Sequence, residues 1–78
     1  MKRFLVESYT PPSAQLDDIE ARARRATGGT GVQYVRSILV RTDEICFHLL
    51  DAPSAGDVGD VMGVAGIEAQ RILEVDDA

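Results

Sequence analysis

The sequence predicts an α+β sandwich of ferredoxin-like topology, βαββαβ, with an antiparallel sheet in the strand order 4-1-3-2 and both helices on one face. Three observations predict it. Hydropathy alternates between strand-like and helix-like stretches in the order strand, helix, strand, strand, helix, strand. The chain has 78 residues, enough for a single domain (1–78) around one core. Its central hairpin is apolar on both faces, so one face is expected under helices and the other against a second copy of the chain.

The first strand is "KRFLVESY" (2–9), rich in β formers and closed by the break "TPPS". Ser13 is then placed to cap a helix whose apolar residues Leu16, Ile19, Ala23 and Ala26 recur at helical spacing. "TGGTG" (27–31) stops that helix with glycines suited to positive φ. A phosphate-binding loop precedes a helix, and this one follows a helix, so a nucleotide cradle is excluded. "VQYVRSILVR" (32–41) and "EICFHLLD" (44–51) are the strongest strand signals, joined by a tight turn at Thr42-Asp43. "APSAGDV" opens the second helix, with Ser54 as N-cap and Asp57 as its capping-box partner. Gly56, Gly59 and Gly63 weaken that helix by about 0.5–1 kcal/mol each relative to alanine. Its stripe of Val58, Val61, Met62 and Ala65 must therefore hold it by packing. Gly66 ends it, and "RILEV" (71–75) makes the last strand.

Composition narrows the function. Eight basic against thirteen acidic residues give a net charge of −5, which argues against a nucleic-acid partner. The basic cluster "ARARRA" (21–26) follows Asp17, Asp18 and Glu20 at helical spacing and reads as a solvated face with i,i+4 pairs. A single cysteine excludes an internal disulfide and fits a reducing compartment. With no signal-like apolar run and no segment long enough to cross a bilayer, the expected protein is cytoplasmic, with no membrane partner.

A short turn at 42–43 places Val40 opposite Ile45, Ile38 opposite Phe47 and Arg36 opposite Leu49. On the other face it places Leu39 opposite Cys46, Ser37 opposite His48 and Val35 opposite Leu50. By this parity Tyr34 shares the helix-free face with Arg36, Ile38 and Val40. Arg36 is easier to place at the rim of such a face than beneath a helix, which puts Cys46 and His48 in the core.

Cys46 and His48 are the only cysteine and histidine, two positions apart. Alternate strand residues lie about 6.5–7 Å apart at Cα, near enough to share an ion. They supply two of the roughly four ligands a tetrahedral metal needs. Glu7, Glu44 or a second subunit would have to supply the rest. The competing reading is that both are packed core residues. No GxSxG, HExxH or CxxC signature points to catalysis. Glu7, Tyr9, Tyr34 and Arg36 are instead expected to line one end of a cavity for a small apolar or acidic ligand.

"FLVESYTPP", "VQYVRSILVRTDEICFHLLDAPS" and "AGIEAQRILEV" together resemble a family of short bacterial proteins of uncharacterised function that share a ferredoxin-like domain. The resemblance covers nearly the whole chain. It implies self-association of the kind seen in dimeric α+β barrels, a group that hosts stress proteins, oxygenases and isomerases. Some members are nickel-binding and carry a histidine near the end of the first strand. Here that stretch is "VESYT", where Glu7 and Tyr9 stand, and nickel is better served by imidazole than by carboxylate.

The leading expectation is thus a homodimeric binding or sensing module for a small ligand, with no cofactor. The alternatives are a nickel-binding protein using His48, Cys46 and carboxylates, and a small dimeric-barrel enzyme using Tyr34, Arg36 and Glu7.

Overall fold

A computed structural model describes residues 1–77. The elements are β1 (Lys2–Tyr9), α1 (Leu16–Thr27), β2 (Gln33–Val40), β3 (Ile45–Ala52), α2 (Ala55–Ala65) and β4 (Ala69–Val75). The strands form one antiparallel sheet in the order β2-β3-β1-β4, the expected 4-1-3-2 order seen from the other edge. Both helices lie over the face that carries Phe4, Val6, Cys46, Leu50 and Ala52. Against it they pack Ile19, Ala23 and Ala26 from α1 and Val58, Val61, Met62 and Ala65 from α2.

Local signals account for most boundaries. Ser54 caps α2 by accepting from the Asp57 backbone N–H at 3.3 Å, and its hydroxyl donates to the Asp57 carboxylate at 2.8 Å. Gly66, at φ 72°, takes the left-handed conformation that closes α2. The Gly66 N–H then bonds the Gly63 carbonyl and the Ile67 N–H the Met62 carbonyl, with Ile67 buried against the helix end.

Expectations about several element ends need correction. Ser13 does not cap α1. Pro11 closes a turn onto the Ala14 N–H at 2.9 Å, so the helix starts two residues later, with Gln15 at its cap position and no side-chain cap bond. Leu16, in the first turn, is consequently exposed rather than part of the buried stripe. The hairpin loop is longer than Thr42-Asp43: a 3-10 turn over Arg41–Asp43 is followed by Glu44 at φ 55°, and Val40 still meets Ile45. The strand β4 begins at Ala69 rather than at residue 71, because it pairs with Ser8 across a bulge at Gln70.

The pairing of β2 with β3 holds as expected from Val40–Ile45 through Arg36–Leu49 and then shifts by one residue. Val35 sits in a β-bulge and Tyr34, not Val35, meets Leu50. Tyr34 therefore turns to the helix side, against the core, away from the face it was expected to share with Arg36.

The other face has no helix. Its cross-strand rows run Leu73–Leu5–Leu49–Arg36, Arg71–Glu7–Phe47–Ile38 and Tyr9–Ile45–Val40. At one end Arg3 forms two bonds to Asp51, at 2.8 and 2.9 Å, and one to Asp77 at 2.7 Å. Among the described residues no helix is long and apolar enough to cross a membrane.

Candidate functional site

The polar end of the covered face holds the candidate site. Period-2 alternation sends Phe4, Val6 and Ser8 inward from β1 and Cys46, His48 and Leu50 inward from β3. His48 is 1% exposed and Ser8 2%, so both are polar groups that must find partners. They do. The Nε2 of His48 lies 2.9 Å from Ser8 Oγ and its Nδ1 lies 2.8 Å from Ser37 Oγ. Ser37 Oγ is in turn 2.6 Å from the Tyr34 hydroxyl, whose ring carries Arg24 over its face at 5.1 Å.

Burial, and secondarily the nearby positive Arg22, holds the His48 pKa down at about 4, so the ring is neutral at pH 7. One assignment of protons, with His48 protonated at Nε2, satisfies all of these contacts together with the one from Ser8 to the Cys46 carbonyl. The Cys46 carbonyl only accepts, so Ser8 donates to it, at 3.4 Å. His48 Nε2–H then donates to Ser8, which leaves Nδ1 to accept from Ser37. Ser37, its proton used, accepts from Tyr34. Four side chains thus form one donor chain that runs from Tyr34 inward and ends at the Ser8 hydroxyl.

That end opens on a cavity of about 330 Å³, with Ser8, Thr10 and His48 at its polar side and Tyr9, Ile67 and Arg22 among its walls. Arg22 is half-buried, donates to the Ala65 carbonyl at 3.3 Å, and has the Asp18 carboxylate 3.4 Å from Nε. The Nε atom is buried without a hydrogen-bond partner among the described residues, so that carboxylate is close but poorly directed. A larger concavity of about 650 Å³ at the opposite end is lined by Arg3, Asp51, Glu74 and Asp77. Its central Arg3 is already matched to Asp51 and Asp77, and the Arg3 bonds hold the Asp51 carboxyl below its usual range. The smaller cavity, beside the buried histidine, has the more unusual chemistry.

The four residues expected around one ligand cavity are not brought together. Tyr9 is exposed and lines the cavity at Ser8. Glu7 and Arg36 lie on the helix-free face, in different rows. Tyr34 reaches the site only through Ser37 and His48.

Cys46 and His48 are close, with Sγ 4.0 Å from Nδ1, but both ring nitrogens already face hydroxyl groups. Among the described residues no group of three or more histidine, cysteine or acidic side chains gathers to hold an ion. The nickel donor set expected from His48, Cys46 and carboxylates is therefore not assembled by one chain, and Glu44 sits out in the hairpin turn. Burial also pushes the Cys46 thiol up, away from the reactive thiolate.

Sequence reasoning missed Ser8, Thr10 and Arg22. Ser8 was legible as the third inward position of β1, where a polar residue stands in apolar alternation. Arg22 flanks the buried positions Ile19, Ala23 and Ala26, but its sequence neighbours Arg24 and Arg25 made the whole cluster look solvated.

No protein-family model and no curated protein matches this sequence. Among solved structures, the chain is similar to the crystal structure of SCO4226 from Streptomyces coelicolor A3(2), with a TM-score of 0.87. The match covers 97% of this chain and 98% of that one at 22% sequence identity. At that identity the likeness establishes a shared fold.

Proposed function

We propose that the protein is a homodimeric binding module for a small ligand, taken up in the cavity at Ser8 and His48. The observation that carries this reading is the buried Ser8–His48 pair, continued outward through the half-buried Ser37 and Tyr34. A small domain gains little from burying a histidine and a serine side by side, since apolar residues of like volume would satisfy packing without desolvation. Such a network beside a cavity of ligand size is better explained by recognition than by stability.

Dimerisation rests on the helix-free face. Four strands at about 4.8 Å spacing, each seven or eight residues long at about 3.3 Å, offer a face of roughly 20 by 25 Å. With side-chain relief this approaches the ~800 Å² per partner of a standard interface. The face carries Leu5, Leu49, Phe47, Ile38 and Leu73 together with Glu7, Arg36 and Arg71. A twofold contact between two copies can cover what remains exposed of the first group, chiefly Ile38 and Leu73, and oppose the charges of the second. The resemblance of the chain's segments to a family of short ferredoxin-like bacterial proteins, which implies self-association, points the same way.

Native mass spectrometry of untagged protein tests it. The expected species contains two chains with no metal, and it retains a small organic ligand or takes one up stoichiometrically from a screen. A monomer that binds nothing in the screen, or a nickel-loaded species that survives chelator, would refute it.

A further inference from the structure

The donor chain ends unsatisfied. Ser8 receives the His48 Nε2–H at 2.9 Å, yet its own proton has only the Cys46 carbonyl, at a long 3.4 Å. Each hydroxyl upstream polarises the next, so the terminal O–H is a better donor than an isolated serine and lacks an acceptor to match. Arg22, on the wall of the same cavity, is also under-used. A guanidinium has five N–H donors. Among the described residues this one makes a single hydrogen bond, to the Ala65 carbonyl at 3.3 Å. An ion pair with the exposed Asp18 at 3.4 Å adds charge without direction. Gly66 stands where an added Cβ would come within 3.5 Å of the Arg22 terminal nitrogen, so a bare backbone borders the guanidinium.

We infer that the ligand is a small organic monocarboxylate, its oxygens taken by the Arg22 guanidinium and the Ser8 hydroxyl. The proposal rests on the binding-module reading above and adds the chemical class. A single negative charge is the most the site can take. Among the described residues Arg22 is the one cation on the cavity wall; the carboxylates of Glu68 on that wall and Asp18 beside it are exposed and screened by water, and they would repel a phosphate dianion more strongly than a monoanion. The remaining walls, with Tyr9, Pro11, Ala14 and Ile67, suit an apolar or aromatic body behind the carboxylate. His48 acts here as a positioning residue: as a neutral ring it can only pass polarisation to Ser8, and it makes no charge of its own for the ligand.

The test is a calorimetric titration of the intact protein with benzoate and a series from acetate to octanoate, each beside its neutral amide. Carboxylates of intermediate size should bind and the amides should not. Arg22→Gln should weaken binding by about a hundredfold and Ser8→Ala by about tenfold, as expected for losing an ion-paired and a charge-assisted hydrogen bond. In unsubstituted protein the carboxylate should shift the His48 ring resonances through Ser8, which keeps the test open if Ser8→Ala fails to fold. Amides binding as well as acids, or full affinity in folded Arg22→Gln, would overturn the carboxylate assignment and leave the binding module standing. Binding of neither series would likewise overturn the carboxylate assignment, whereas the binding module itself falls only on the mass-spectrometric screen, if that finds a monomer without ligand.

Discussion

On the covered face of the sheet Phe4, Val6, Cys46, Leu50 and Ala52 are fully packed beneath two helices. On the opposite face Leu5 and Phe47 are half-buried, and Ile38 and Leu73 are 47% and 38% exposed. The same four strands supply both. The covered face has its apolar residues inside the chain and can therefore accommodate a polar row, Ser8, His48 and Ser37, whose partners lie within reach. The open face mixes apolar residues with charge, Glu7 and Arg71 sharing a row with Phe47 and Ile38, and Arg36 ending the row of Leu73, Leu5 and Leu49. A sheet in a chain this small cannot bury both sides by itself, because only two short α-helices are available among the described residues. One side thus holds a buried polar row, and the other leaves apolar side chains such as Ile38 and Leu73 open.

Truncation separates the two faces most strongly. Leu50→Ala, at a position with no exposure, should cost about 2–5 kcal/mol in urea unfolding, independent of protein concentration. Ile38→Ala on the open face should cost less, and its cost should depend on concentration, because it acts on assembly. Equal, concentration-independent losses would erase the distinction.

Acid should act on the covered face. The His48 pKa is about 4 in the folded protein against about 6.5 unfolded, so the unfolded chain binds more protons between these values. Stability is complete above pH 6.5 and falls as the pH drops toward 4, by about 3 kcal/mol from this group. Urea midpoints measured from pH 7 to pH 4 should follow that slope, and His48→Gln should flatten it. An unchanged slope in the variant would assign the acid sensitivity elsewhere.

The smallest effect is expected from Tyr34→Phe, which removes the first donor of the chain. It should cost about 1 kcal/mol, the net worth of one hydrogen bond, and leave the oligomeric state unaltered. A loss of assembly would mean that Tyr34 belongs to the open face after all.

Periodicity made the strand order, the α2 cap at Ser54, the closure at Gly66 and the inward placement of Cys46 and His48 legible. These are set by neighbours in sequence or by period-2 parity. The β-bulge at Val35 was not legible, because no glycine or proline marks it and one extra residue reverses the parity of Tyr34. The site itself was half legible: His48 and its partner Ser37 followed from the hairpin register. Ser8 and Arg22 meet that pair only through β1 pairing and α1 packing, contacts separated by 40 residues in the case of Ser8 and His48.

Sedimentation equilibrium of the unsubstituted protein over a dilution series through the micromolar range bears most directly on the division of labour between the faces. A dimer mass that persists at micromolar concentration, and that falls to the monomer mass in Ile38→Asp, is the expected result, since a carboxylate buried without a partner in that face is costly. A stable monomer in the unsubstituted protein, or an Ile38→Asp dimer as tight as the original, would contradict it.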